Sequence, residues 1–163
     1  MKNLFLLISI LFFLSCQKEN NLTGAYIEGS IDISLEDSLG NDLLKSSNEK
    51  SYKLDNIEVY YLVDNKVKPA TELTHTMDDY PNGLLFYKKD NKSCVRIFVN
   101  LYDLNDSTTT YVKWNETDTD TISILFEREN SYFILQQKIW FNNHLIWNRK
   151  ENNTERYFNF IKY

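Results

Sequence analysis

Three residue pairs, Asp64-Asn65, Asp90-Asn91 and Asn142-Asn143, each stand beside runs of alternating apolar and polar residues. Asparagine and aspartate tolerate the left-handed backbone region better than other non-glycine residues, and a two-residue hairpin turn needs that region twice in succession. The pairs therefore commit much of the chain to neighbouring strands. The flanking runs keep a period of two. Before Asp64, the residues Ile57, Val59, Tyr61 and Val63 share one face. Leu84 to Lys88 runs into Asp90-Asn91, and Cys94 to Tyr102 follows, with Val95, Ile97, Val99 and Leu101 on one face and Phe98 and Tyr102 on the other. Apolar side chains on both faces predict a strand covered on both sides. Around Asn142-Asn143, the segments Phe133 to Phe141 and His144 to Trp147 predict Phe141 opposite His144, Trp140 opposite Leu145 and Ile139 opposite Ile146.

The remaining segments follow suit. Ile27, Ile31, Ile33 and Leu35 fall on one face of the run Ile27 to Leu35, with Glu28, Asp32 and Ser34 on the other, before a turn at Leu39-Gly40-Asn41-Asp42. Thr108 to Trp114 and Thr121 to Phe126 flank an acidic turn, and Tyr157 to Tyr163 closes the chain with Phe158 and Phe160 on one face. Stretches near Leu43 to Ser51 and Glu72 to Asp79 read as loops. Sustained helical periodicity is missing. Eight or nine short strands predict an all-β fold, an antiparallel β-sandwich of immunoglobulin or transthyretin type, as a single domain over residues 25–163.

The N-terminus reads differently. Lys2 gives a positive start, Leu4 to Leu14 are apolar but for Ser9, and Ser15 is a small residue at a cleavage position, the layout of a secretory signal over residues 1–15. As a helix the apolar run would reach only about 16 Å, short of a bilayer crossing. Phe13-Leu14-Ser15-Cys16 resembles the lipobox of bacterial lipoproteins. That resemblance implies a diacylglycerol on Cys16, cleavage before it, and a tether over residues 16–24. Two or more acyl chains hold a protein stably on a membrane. Gln17-Lys18-Glu19 resembles the lysine-plus-acid signal behind the lipidated cysteine of surface-exposed Bacteroidota lipoproteins. The implied address is the outer membrane, facing outward, with the membrane itself as a partner through the lipid. With Cys16 so used, Cys94 has no disulfide partner and reads as a small buried apolar residue or a half-exposed strand residue. No helix N-terminus is signalled that would mark a catalytic thiol there.

Further stretches resemble one family. Ile31-Asp32-Ile33-Ser34-Leu35 running into Leu39-Gly40-Asn41-Asp42-Leu43-Leu44, Glu58-Val59-Tyr60-Tyr61-Leu62-Val63, and Trp114 through Ile122 are similar to small single-domain lipoproteins of gut Bacteroidota. Lys138-Ile139-Trp140-Phe141-Asn142 and Glu155-Arg156-Tyr157-Phe158 extend the resemblance over nearly the whole chain, although Asn142-Asn143 stands where an Asn-Gly turn is usual. These motifs are turns and strands, so the resemblance implies no functional residue beyond Cys16. Three triplets, starting at Asp37, Asp106 and Asp120, match the short O-glycosylation pattern of secreted Bacteroidota proteins and nominate Ser38, Ser107 and Thr121.

Signals for chemistry are sparse. Asp118 and Asp120, with Glu116 nearby, have the odd spacing of a calcium loop, but the glycine of its sharp turn and its closing bidentate glutamate are missing. A solvated hairpin turn is the simpler reading. His75 and His144 lie in no metal-ligand spacing, and adjacent acids such as Asp78-Asp79 point to opposite faces of a strand. Four glycines and no phosphate-binding fingerprint leave no expected cofactor. A net charge of −5 argues against nucleic acid as a partner. Trp114, Trp140, Trp147 and Tyr60 would stack on sugar rings if they line an exposed face, and otherwise serve the core. The expectation is a non-enzymatic binding or assembly module at the cell envelope, with a glycan or an envelope or host protein as ligand. The alternative is a hydrolase or inhibitor whose site is assembled from scattered Asp, Glu and Tyr.

Overall fold

All three turn pairs adopt the left-handed backbone, with φ of 52° and 59° at Asp64 and Asn65, 49° and 65° at Asp90 and Asn91, and 48° and 66° at Asn142 and Asn143. The computed structural model describes residues 24–73, 80, 82–152 and 155–162. Among them run eleven strands: β1 (Tyr26–Ile27), β2 (Ser30–Asp37), β3 (Glu58–Val63), β4 (Lys66–Pro69), β5 (Leu84–Lys89), β6 (Lys92–Phe98), β7 (Ser107–Lys113), β8 (Thr119–Asn130), β9 (Phe133–Phe141), β10 (His144–Asn148) and β11 (Tyr157–Lys162). The larger sheet has the order β1-β9-β8-β7-β3-β4, with β10 also on β9, and the smaller sheet has the order β11-β2-β6-β5. The three turns form the hairpins β3–β4, β5–β6 and β9–β10.

The purely antiparallel expectation is corrected. β1 runs parallel to β9 and β11 runs parallel to β2, so both sheets are mixed, and one of them curls as a half-barrel. Parallel partners are joined by long crossovers and leave no local turn signal, which is why period and turn chemistry alone miss them. Two further expectations shift by a residue or so. Ile139 pairs with Trp147 instead of Ile146, because a bulge between Leu145 and Trp147 inserts an extra residue and turns the indole into the core. Ile27 is exposed and Glu28 is buried, the reverse of the predicted faces. The stretch from Leu43 is irregular as expected, yet Leu43 and Leu44 are buried, and the Asp42 carboxylate accepts the amide of Ser93 at 2.9 Å. Glu72, expected in a loop, belongs to a one-turn helix, α1 (Ala70–Leu73). His75, Asp78 and Asp79 lie outside the described residues, as do Cys16 and the signal segment.

The core lies between the sheets. Ile31, Ile33 and Leu35 of β2 and Val95 and Ile97 of β6 meet Val59 and Tyr61 of β3, Val112 of β7, Ile122 and Ile124 of β8 and Ile139 of β9. Cys94 is buried on β6, the first of its two expected readings, and β6 sits between β2 and β5.

The sheets are joined where the chain passes from β1 to β2. At that corner the Glu28 side chain, 5% exposed, meets Arg149 beyond β10 and Arg156 before β11, the latter at 3.0 Å. The amide of Gln136 on β9 donates to the same carboxylate at 2.8 Å, and the Gln136 side-chain amide donates to the carbonyl of Glu28 at 2.9 Å. Both guanidinium groups also lie against the Trp147 ring, 5.5 and 5.7 Å from its centroid. One carboxylate thus gathers groups that belong to both sheets.

At the far end of β11 a second tie forms. Lys162 reaches Asp118 at 2.8 Å and Asp120 at 2.6 Å. Asp120, buried, also accepts from the Trp114 indole at 2.6 Å and from Asn142 at 2.7 Å, while the Tyr52 hydroxyl donates to Asp118. Between the two ties Phe160 stacks on Phe141 with centroids 3.8 Å apart.

Burial alone would raise the Glu28 carboxyl, but the hydrogen bonds from Arg149 and Gln136 and the charges of Arg156 and Arg149 outweigh it and hold the group below its ordinary 4.5. A carboxyl depressed by folding adds stability that is fully present above the unfolded value and lost as pH falls through the folded one. Urea unfolding from neutral pH down to about pH 3 should therefore show stability falling from below roughly 4.5. Glu28→Gln should cost about 3–5 kcal/mol at neutral pH, because it leaves two arginines facing a neutral amide, and its acid loss should be shallower. A cost near zero would contradict this role for the corner.

Candidate binding surfaces

Directly paired residues point to the same side of a sheet. Across the outer side of the larger sheet the register aligns Val67, Leu62, Thr109, Ser123, Trp140 and Leu145 from β4 to β10 in one row. The adjacent row holds Pro69, Tyr60, Tyr111 and Thr121. With strands about 4.8 Å apart, the longer row extends roughly 24 Å. Neither row contains a charge, although charged residues make up 25% of the chain. Charge appears only at the margin, where Lys113 pairs with Glu58 at 3.4 Å and Glu116 at 3.0 Å, and Lys138 stands opposite Leu125. The Tyr60 hydroxyl donates to Glu58 at 2.9 Å, and that bond to a carboxylate raises its pKa. Tyrosine and tryptophan joined to threonine and serine, with charge held to the rim, give a surface that covers apolar area and offers hydroxyl hydrogen bonds together.

The aromatics expected as stacking groups separate accordingly. Trp114, 0% exposed, and Trp147 are inside the core, so neither offers a ring face to a ligand. Trp114 is fixed there by its bond to Asp120, and Trp147 by the bulge in β10. Trp140 and Tyr60 are half-buried on the uncharged outer face. Asp118 and Asp120 do not make a calcium loop or a merely solvated turn, because Lys162, Trp114, Asn142 and Tyr52 engage their oxygens. Among the described residues no group of His, Cys, Asp or Glu is arranged to hold a metal ion. His144 is exposed, with Nδ1 2.9 Å from the Asn142 carbonyl oxygen. Of the nominated glycosylation positions, Ser38 is exposed in a turn, Ser107 is exposed at the start of β7, and Thr121 is half-buried within β8.

The smaller sheet carries a polar cleft of about 400 Å³ that sequence reasoning missed. Asp32 on β2 is gripped by Arg96 on β6 through two bonds, at 2.8 and 2.9 Å. Burial together with the Asp32 carboxylate pushes the phenol of Tyr87 on β5 well above the usual range. Lys89 and Glu155, paired at 2.5 Å, and Arg156 complete the charged lining. An outward-facing Asp32 was legible from alternation, but its partners come from segments far apart in the chain.

No family model, curated protein or solved structure matches the chain.

Trp140 is the one tryptophan of the three that is not buried. Acrylamide should quench a single component of the tryptophan emission, and Trp140→Phe should abolish that component. Quenching that survives the substitution would place Trp114 or Trp147 within reach of solvent and contradict the core assignment.

Proposed function

We propose that the chain is a lipid-anchored protein of the cell envelope, displayed on the outer membrane, that acts by binding and not by catalysis. The observation that carries the binding reading is the uncharged outer face of the larger sheet, with Tyr60, Tyr111 and Trp140 among threonine and serine. A face of that width and chemistry fits a flat, uncharged partner, either a glycan chain or a surface of an envelope or host protein. The proposed architecture is a β-sandwich related in plan to immunoglobulin and transthyretin domains, with one sheet curled. The anchoring reading rests on the sequence around Cys16, and Tyr26 and Ile27, ten and eleven residues further along the chain, are exposed. Tyr26 is tied to Tyr132 through its backbone amide, at 2.7 Å, and its ring lies 5.9 Å from that of Phe133. Tyrosine and aliphatic surface at the tether suits a domain held against the lipid headgroups. The hydrolase alternative needs a pair of carboxylates free to act, whereas Asp32 in the polar cleft is gripped by Arg96 through two bonds.

The test uses the full-length lipoprotein in its native host. Wild type should fractionate with membranes and be lost when intact cells meet an impermeant protease, and Cys16→Ser should leave the membrane fraction. In affinity gels containing neutral polysaccharides, Trp140→Ala should migrate faster than wild type if the partner is a glycan, and co-purified envelope proteins should be lost from the same variant if it is a protein. Membrane retention of Cys16→Ser overturns the anchor, and Trp140→Ala matching wild type in both binding readouts overturns the binding face.

A further inference from the structure

We propose that the polar cleft of the smaller sheet binds a small carboxylate-bearing molecule, and that Glu155 occupies the place of the ligand's carboxylate until the ligand displaces it. The site lies on the other sheet from the uncharged face and would take a different class of ligand, so it stands or falls independently of the reading above.

Three cations line the cleft, and two of them are fixed. Arg96 is held by Asp32 through Nε and Nη2, and Arg156 is held by the buried Glu28 through Nη1. A guanidinium has five N–H donors, so both retain donors that these carboxylates do not use. Arg96 also rests beside the Tyr87 ring, 5.8 Å from its centroid. The cations are thus preorganised, and a ligand would not have to order them.

The third cation is different. Lys89 pairs with Glu155, whose side chain is 80% exposed, while that of Lys89 is 35% exposed. Exposed pairs of this kind hold weakly, so the carboxylate can swing into solvent at small cost. Lys89 would stay in position without it, because its ammonium also lies 4.8 Å from the centroid of the Tyr157 ring. Replacing the carboxylate of Glu155 by that of a ligand leaves the charge of the cleft unchanged. A phosphate dianion would instead add a negative charge beside Asp32 and Glu28, and a neutral molecule would leave Lys89 without its counter-charge. A volume of about 400 Å³ admits a molecule of single-ring size, with the Tyr87 ring as its apolar contact.

The experiment follows the backbone and arginine side-chain N–H resonances of the protein by NMR during titration with glucuronate and benzoate, with glucose and inorganic phosphate as controls. Lys89 and Glu155 are partly exposed and lie outside the core, so Lys89→Gln and Glu155→Gln should fold normally. The expected result is saturable shifts at Tyr87, Lys89 and Arg96 with at least one carboxylate, several-fold tighter in Glu155→Gln and several-fold weaker in Lys89→Gln. Three outcomes overturn the proposal: neither carboxylate shifts these residues even in Glu155→Gln, glucose or phosphate binds as well as the carboxylates, or Glu155→Gln binds no more tightly than wild type.

Discussion

A single buried carboxylate, Glu28, sits where the chain leaves the larger sheet for the smaller one, and much of the architecture follows from satisfying it. Isolated in an apolar corner it would be strongly disfavoured. It is tolerated because Arg149, Arg156 and the amide of Gln136 converge on it, and each arrives from a different part of the chain. β1 is only two residues long and pairs with β9 in parallel, so its own ladder contributes little. The charge cluster supplies what the ladder lacks. It also fixes the start of β11, because the carbonyl of Arg156 accepts the amide of Asp32 at 3.0 Å at the head of the parallel pair.

The C-terminal strand is consequently held at both ends by ions and in the middle by rings. Arg156 binds Glu28, Lys162 binds Asp118 and Asp120, and Phe160 lies on Phe141 between them. These contacts tie an edge strand of the smaller sheet to strands β8 and β9 of the larger. Two sheets locked in this way present rigid outer faces. The candidate surfaces benefit directly: the uncharged rows lie on strands backed by the core, and Arg156 serves the Glu28 cluster and the polar cleft together.

The legible parts of the structure were those with local causes. Asp64-Asn65, Asp90-Asn91 and Asn142-Asn143 encode hairpins in the residues themselves, and the inward faces of β3 and β8 follow from alternation. The parallel pairs were illegible because β2 and β11 meet across most of the chain, with Asp32 opposite Tyr157 and no turn between them. Glu28 misled for a related reason. Alternation assigns a charged residue to the solvent face, and only the arrival of two distant arginines makes its burial possible. The same holds for Asp120, which read as a turn acid and is instead the acceptor that seats Trp114 and Lys162. Of the candidate surfaces, Tyr60 and Trp140 could be named from the sequence, but their common face required the register of four strands, β3, β7, β8 and β9. The polar cleft required β2 and the residues before β11 to meet the β5–β6 hairpin, contacts that span most of the chain.

The functional proposals depend on these faces being preformed, and preformation depends on the Glu28 corner. Amide hydrogen exchange, resolved by residue and compared between wild type and Glu28→Gln, tests that dependence most directly. If the corner joins the sheets, protection should fall at β1 and along β11 while the β3–β7 ladder, remote from it, keeps its own. Unchanged protection at β11 in the variant, or an even loss across every strand, would contradict the account.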